Sequence, residues 1–291
     1  MARVVSNSRQ AVHRHYAAGL WQSNAPPSSP TALYLLCWFL GSILLAFLVI
    51  PLVALALTQS AASLAGVARM SDVRDAIMLS LEGAFLSAAC AALIGVPLAY
   101  GLARSAFYGK GVVAALIDLP LAVPHTVAGI ALLMVFGRQG ILGAPLQTLA
   151  GLKFWGTIAG VVVAMLFVSA PYTVNAARIG FEAVDPRLEK VARTLGLGPW
   201  RTFFRITLPL ARRSIMTGIT LTYARSISEF GAVVILVYYP MTAPVKIYEL
   251  FLRFGLEQSA AAAVLLLIVS LSLFVLLRTL AQRGGEPQES R

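Results

Sequence analysis

Charged residues are scarce in this sequence. Asp, Glu, Lys and Arg make up 12% of its 291 residues, about half of the roughly 25% found in soluble domains. Hydrophobic residues make up 58%, and the mean hydropathy is +0.80. This shortage of charge excludes an ordinary soluble protein, because too little of its surface would be polar.

Cysteine and histidine are also few. Cys37 and Cys90 both fall within apolar stretches and are interpreted as small buried hydrophobic residues. The sequence contains no H-E-x-x-H zinc motif, no G-x-S-x-G nucleophile motif and no G-x4-G-K-[S/T] phosphate loop. We therefore expect no catalytic residue, no metal site and no cofactor bound by this chain.

Apolar residues are concentrated in six stretches, each close to the length of about 20 residues that crosses a bilayer as a helix. None of them shows the alternation of a barrel strand. The sequence therefore predicts an all-α integral membrane protein with about six transmembrane helices. The stretches are 33–57, 76–103, 112–136, 157–177, 215–237 and 259–277.

The distribution of Lys and Arg predicts the orientation. If residues 1–30 lie in the cytoplasm and the chain crosses at each apolar stretch, most of the 23 basic residues fall on the cytoplasmic side, as the positive-inside rule requires. We expect a multi-pass protein of the plasma (inner) membrane with both termini cytoplasmic. Its transmembrane domain would span 31–280, followed by a short tail, 281–291. Residues 1–30 contain no acid; a targeting peptide is possible, and a disordered cytoplasmic tail is favoured.

One polar loop, 178–213, is patterned throughout. Asp185 suits an N-cap, Pro186 the first helical position and Gly196 the helix end. Leu188, Val191, Ala192 and Leu195 repeat with helical spacing and predict one apolar face, with Glu189 and Arg193 off that face. Such an amphipathic helix lies in lipid headgroups or docks into a groove on a partner protein.

The spacing in this loop resembles the signature of ABC importer permeases, E-A-A-x3-G-x9-I-x-L-P. Its matching positions are Ala192, Gly196, Ile206, Leu208 and Pro209, whereas Lys190 and Val191 replace the opening Glu and first Ala. The resemblance implies an ABC importer type I transmembrane domain whose loop docks on a separate ATPase subunit. It implies that Glu182, Asp185, Pro186, Leu188, Glu189, Ala192, Arg193, Leu195, Gly196, Ile206, Leu208 and Pro209 form this coupling loop.

Three further segments are similar to the oxyanion branch of this family, which handles molybdate, tungstate and sulfate. They are 119–130, 225–232 and 238–244. The third segment and the His in Pro124-His125-Thr126 most resemble the tungstate/molybdate members. The resemblance therefore implies import of tungstate or molybdate, with sulfate or thiosulfate as the alternative.

Several residues inside the apolar stretches are candidates for a translocation path or gate. Pro120 and Pro124 predict a bend, and irregular backbone at membrane depth requires contact with protein or water. Arg225 and Glu229 are spaced to share one helix face, either as a fixed ion pair or as a gate. The hydroxyl groups of Thr126, Ser169 and Ser228 are expected either to contact an anion or to form hydrogen bonds within the protein. The candidates are Pro124, His125, Thr126, Ser169, Arg225, Ser228 and Glu229.

The family resemblance also implies the partners: cytosolic ABC ATPase subunits, an extracytoplasmic substrate-binding protein, a second copy of the chain and membrane lipid. We expect the binding protein to dock near 69–75 and 239–253. Nucleic acid is not expected. Two other classes remain as alternatives, a secondary transporter driven by an ion gradient and a membrane scaffold that moves no solute.

Overall fold

The computed structural model describes residues 32–283, with side chains described as far as Thr279. Within this range every regular element is a helix and no strand occurs. The chain divides into two compact units, one ending at Thr58 and one beginning at Gln59. The first unit contributes α1, Ala32–Leu57, whose 26 residues have a mean hydropathy of 2.7, as expected for a membrane-spanning helix.

The second unit begins with α2, Ala61–Arg69, and α3, Ser71–Cys90. A π-helical turn, Ala91–Gly95, joins α3 to α4, Val96–Arg104, and together they form one apolar span of 34 residues. At 1.5 Å per residue this span is about 50 Å long, so Ser71 and Arg104 lie at opposite ends of the unit.

The predicted stretch 112–136 is broken into two helices. α5, Lys110–Ala122, and α6, His125–Phe136, meet at an angle of 111°. Pro124 lies in the break, and the residue before it, Val123, is extended, as residues preceding proline usually are. The bend predicted from the prolines is therefore confirmed, and the segment is either a broken span or a re-entrant loop. A short helix, α7, Gly143–Ala150, follows.

α8, Ile158–Ala183, is the central helix of the unit and packs against α3, α4 and α11 (Leu208–Ile227). Its side chains Val161, Met165 and Val168 are almost fully buried in the largest hydrophobic cluster. Hydroxyl groups also join these helices, since Ser169 Oγ lies 2.8 Å from Ser226 Oγ. Small polar side chains of this kind are common where membrane helices pack closely.

The cytoplasmic loop of the sequence prediction forms α9, Pro186–Thr194, then α10, Pro199–Thr202, and a second π-helical turn, Phe203–Thr207, which runs directly into α11. After α11 come α12, Gly231–Leu236, and α13, Ala243–Phe254. The last helix, α14, is Leu256–Arg283, of which Leu256–Thr279 is apolar enough to cross a membrane.

Four helical spans within residues 32–283 are long and apolar enough to cross a membrane, and five if the bent pair α5–α6 counts as one. The all-α membrane fold is confirmed. The fifth predicted stretch, 215–237, is not among these spans. It is divided between α11 and α12, and α11 contains Arg212, Arg213 and Arg225, which lower its hydropathy. The predicted tails 1–30 and 281–291 lie outside the described residues, except for the end of α14.

Candidate functional site

The patterned loop folds locally as its sequence predicts. The Asp185 side chain accepts a hydrogen bond from the Arg187 backbone N–H at 2.9 Å, and Pro186 is the first residue of α9. Gly196 follows the helix with a φ of +86°, a conformation that costs other residues a steric clash. Leu197 N donates to Ala192 O at 3.0 Å. Together these contacts fix both ends of the helix.

Glu189 is the buried anchor of α9. Its side chain is 6% exposed and accepts hydrogen bonds at Oε1 from Arg104 Nε at 2.8 Å and from Thr207 Oγ1 at 2.9 Å. Tyr100 Oη lies 3.4 Å from Oε2. These partners belong to α4 and to the π-helical turn before α11. The carboxylate therefore ties the loop helix to two membrane helices.

The ends of α8 and α4 also meet here. Arg104 Nη2 donates to Val184 O at 3.0 Å, where α8 ends. Burial raises the pKa of Glu189, but the hydrogen bonds from Arg104 and Thr207 lower it more, so that this pKa lies below its ordinary value of 4.5. Glu189 is therefore ionised at neutral pH and holds α4, α8 and α9 together.

The apolar side of α9 faces outward. Leu188, Val191 and Leu195 are 46%, 56% and 76% exposed, and of the predicted apolar face Ala192 alone is buried. Trp200 and Phe204, whose rings stack with centroids 6.3 Å apart, are exposed close by in the sequence. We call Leu188, Val191, Leu195, Trp200 and Phe204 the loop apolar surface. An apolar surface in a polar loop needs a protein partner or a lipid surface to cover it.

The remaining predicted loop residues surround this anchor. Arg193 is exposed and lies 3.8 Å from Glu189 Oε2. Glu182 is exposed in the last turn of α8, Ile206 lies in the π-helical turn, and Leu208 and Pro209 begin α11. The spacing Gly196-x9-Ile206-x-Leu208-Pro209 thus sets the distance between the end of α9 and the start of a membrane helix.

A second group of predicted residues meets at the two breaks between helices. Arg225 Nη2 donates to Glu229 Oε2 at 2.9 Å and lies 2.8 Å from His125 Nε2. The Glu229 side chain is 1% exposed and its Oε1 accepts a hydrogen bond from Ala232 N at 2.9 Å, which caps α12. We call His125, Arg225, Ser228 and Glu229 the charge cluster.

Other predicted path residues lie near or away from this cluster. Pro124 and Thr126 flank His125 and are exposed. Ser169 is fully buried, where it donates to Met165 O at 2.6 Å and contacts Ser226. Its hydroxyl is thus used in helix packing, one of the two roles considered for it. Among residues 32–283, no group of three or more His, Cys, Asp or Glu is placed to hold a metal ion.

A third site was not predicted from the sequence, although its segments were expected to dock a binding protein. At the end of the α3–α4 span remote from α9, Lys246 is 8% exposed and its Nζ lies 2.6 Å from both Asp72 Oδ2 and Glu249 Oε2. These residues, together with Asp75 and Glu82, line a cavity of about 570 Å³. We call it the Lys246 cavity. Hydrogen bonds from Lys246 and Arg253 lower the pKa of Glu249. In the sequence, the one local indication of this site is the i, i+3 spacing of Lys246 and Glu249.

Comparison with known proteins gives consistent results. The model of the family "Binding-protein-dependent transport system inner membrane component" matches residues 91–284. The molybdate/tungstate transport system permease protein WtpB of Thermococcus kodakarensis is 45% identical over 246 residues, 84% of this chain and 94% of its own length. The molybdenum transport system permease protein ModB of Haemophilus influenzae is 38% identical over 207 residues, 70% of this chain and 90% of its own.

Solved structures share the fold. A chain of a bacterial ABC transporter involved in the import of the acidic polysaccharide alginate superposes with a TM-score of 0.69, covering 86% of this chain and 95% of its own, at 16% identity. Another structure of the bacterial alginate transporter, in complex with an alginate pentasaccharide-bound periplasmic protein, gives 0.69 at 17% identity, covering 86% and 94%.

Proposed function

This chain belongs to the family of binding-protein-dependent transport system inner membrane components, and we propose that it carries molybdate or tungstate into the cell. The chain is the membrane-spanning permease subunit of an ABC importer and is not itself an enzyme. The proposed substrate rests on the similarity to molybdate/tungstate permeases over nearly their whole length. ATP hydrolysis takes place on a partner subunit, and this chain binds no cofactor.

The loop apolar surface is the proposed docking element for the ATPase. Leu188, Val191 and Leu195 are exposed on α9, and an amphipathic helix of this kind inserts its apolar side into a groove. Glu189 holds the other side of α9 to Arg104 and Thr207. Movement of the ATPase would therefore pass to α4, α8 and α11 as a connected group of helices, since their contacts are short and buried.

The Lys246 cavity supports docking of a substrate-binding protein on the opposite side of the membrane. It lies at the Asp72 end of the α3–α4 span, about 50 Å along the helix from Arg104. If α9 is cytoplasmic, the cavity and the segments 69–75 and 239–253 face outward. This orientation, with both chain termini in the cytoplasm, agrees with the excess of Lys and Arg on the side of α9.

A second copy of the chain is proposed to complete the translocation path. His125 and Arg225 are 45% and 23% exposed on their side chains, although they occur in apolar segments. Charged groups at membrane depth face protein or water, because exposure to lipid is costly. A homodimer with these surfaces turned towards its axis would enclose them, while the exposed apolar side chains of the spans would contact lipid.

The experiment is reconstitution of the permease with its ATPase in vesicles, with the binding protein on the outside and ATP enclosed. Accumulation of labelled molybdate or tungstate that requires both partners and ATP is expected. Uptake by the permease alone under an ion gradient would establish a secondary transporter instead. Uptake of sulfate or thiosulfate in preference to molybdate would overturn the substrate, and no flux of any solute would indicate a scaffold.

A further inference from the structure

The charge cluster lies far along α11 from the loop 178–213. Arg225 is 17 residues beyond Leu208, the first residue of α11, which corresponds to about 26 Å of helix. His125 follows α5, whose 13 residues rise about 20 Å from Lys110. Both distances fall within a hydrocarbon layer of about 30 Å. If the loop 178–213 lies at one membrane surface, the cluster therefore lies within the hydrocarbon layer, well away from that loop.

Burial within the cluster is uneven. The Glu229 side chain is 1% exposed, Arg225 is 23% exposed and His125 is 45% exposed. Glu229 Oε1 also accepts a hydrogen bond from the Ala232 N–H at 2.9 Å. The carboxylate of Glu229 is thus buried, whereas the guanidinium of Arg225 is partly accessible. A pair that served only to hold two helices together would be expected to bury both of its partners.

Backbone packing builds this surface from two separate helix breaks. A Cβ on Gly231 would lie 2.8 Å from His125 Cβ, and a Cβ on Gly129 would lie 3.0 Å from Ala232 Cα. The two glycines therefore allow the start of α6 to lie against the start of α12. This contact places His125, from the first break, within 2.8 Å of Arg225 Nη2, beside the second break.

The donors of Arg225 are only partly engaged by strong contacts. Nη2 contacts Glu229 and His125, whereas Nη1 reaches Ser228 Oγ at 3.3 Å, near the long limit for a hydrogen bond. A guanidinium donates, so His125 Nε2 is the acceptor and its ring proton lies on Nδ1, 3.8 Å from Glu229 Oε2. An arriving anion can therefore take up Nη1 without breaking the pair with Glu229, whereas the Ser228 hydroxyl already donates to Arg225 O at 3.0 Å.

We propose that Arg225, with Ser228 and His125 beside it, forms a transient contact site for a tetrahedral oxyanion, and that Glu229 is its permanent counter-charge. This inference rests on the proposed import of molybdate or tungstate. Guanidinium groups match the paired oxygens of such anions. An isolated Arg at this depth would hold a dianion too tightly for rapid release, and conduction requires binding weak enough for the ion to leave. Glu229 offsets the positive charge and weakens the site.

The test measures retention of labelled molybdate by the purified permease–ATPase complex in equilibrium dialysis, together with uptake in vesicles. R225Q is expected to lower retention, by about tenfold if one charge-assisted contact is lost. E229Q leaves Arg225 unopposed, so retention should rise while uptake falls because release is slower. The double variant R225Q/E229Q should behave like R225Q. R225K, which keeps the charge and removes the paired donors, should also retain less molybdate.

A contact site predicts that molybdate retention falls in R225Q and rises in E229Q. A structural ion pair does not predict these opposite changes. Recovery of wild-type uptake in R225Q/E229Q, or lower retention in E229Q than in wild type, would overturn the proposal. A wild-type complex that imports no oxyanion would instead overturn the proposed function. The matched control is Arg138→Gln, because Arg138 lies near Trp155 outside the charge cluster and its loss should leave retention unchanged.

Discussion

Glu189 and Arg104 form an ion pair at 2.8 Å that joins α9, in the loop 178–213, to the end of a membrane span 85 residues earlier in the chain. Their side chains are 6% and 15% exposed. Thr207, at the start of the next membrane helix, donates to the same carboxylate oxygen. One side chain thus connects α9, the end of α4 and the start of α11.

Removal of the Glu189 carboxylate should uncouple molybdate transport from ATP hydrolysis on the partner subunit. In Glu189→Gln the charge of Arg104 loses its partner, and breaking a buried pair costs about 3–5 kcal/mol, less where water reaches it. We expect ATP hydrolysis by the assembled complex to continue while molybdate uptake per ATP falls severalfold. Glu257→Gln, at an exposed position outside this loop, is the control. Equal uptake per ATP in E189Q and wild type would exclude the anchoring role.

The loop apolar surface should govern assembly with the ATPase. Leu195→Asp places a charge on a side chain that is 76% exposed, so the permease should fold normally and lose affinity for the ATPase. Burial of a Leu side chain contributes about 1.5–3 kcal/mol, which corresponds to a loss of at least tenfold. Co-purification of the two subunits at a limiting concentration of the ATPase measures this loss of affinity. Leu149→Asp, 87% exposed in α7, should assemble as wild type, and equal assembly by both variants would contradict docking at α9.

The glycine after α9 should be needed for its backbone conformation alone. Gly196 has a φ of +86° and an added Cβ would meet no atom within 4 Å, so Gly196→Ala creates backbone strain of about 1–2 kcal/mol without a collision. Gly198 also has open space but a φ of −67°. We expect G196A, or more strongly Gly196→Asp, to impair transport and G198A to leave it unchanged. Similar results for G196A and G198A would argue against a fixed helix end.

The contribution of Glu189 to stability should depend on pH. The folded pKa of Glu189 lies below the ordinary value of 4.5, so its stabilising effect is complete above the unfolded pKa and is lost as pH falls through the folded pKa. The difference in unfolding temperature between wild type and E189Q should therefore be constant above about pH 5.5 and shrink below it. A difference that grew on acidification would show that Glu189 is held in its protonated form.

Local features of the loop could be predicted from the sequence, and long-range pairing could not. Asp185, Pro186 and Gly196 define α9 through contacts within a few residues, and the structure has the helix where they indicate. The burial of Glu189 depends on Arg104 and Thr207, which periodicity within α9 does not reveal. The outward exposure of Leu188 and Leu195 follows from the same contacts, because α9 is held to the membrane helices by its carboxylate.

The membrane helices show a similar division. The apolar runs at α1, α3–α4, α8 and α14 were recognised from hydropathy, and Pro124 indicated the bend between α5 and α6. The apolar stretches predict the all-α membrane fold and the loop motif predicts the family, and both predictions are confirmed. The stretch 215–237 was less regular than expected, because Arg225 and Glu229 there bond to each other and to His125, and the chain breaks beside them.

Contact between α9 and the ATPase is the central requirement of this account. A photoreactive group at Leu195, introduced through a cysteine after replacement of Cys37 and Cys90, can be activated in the complete complex in membranes with and without ATP. The account predicts a crosslink to the ATPase subunit whose yield changes with nucleotide. Crosslinks from this position to phospholipid alone, in every nucleotide state, would contradict it.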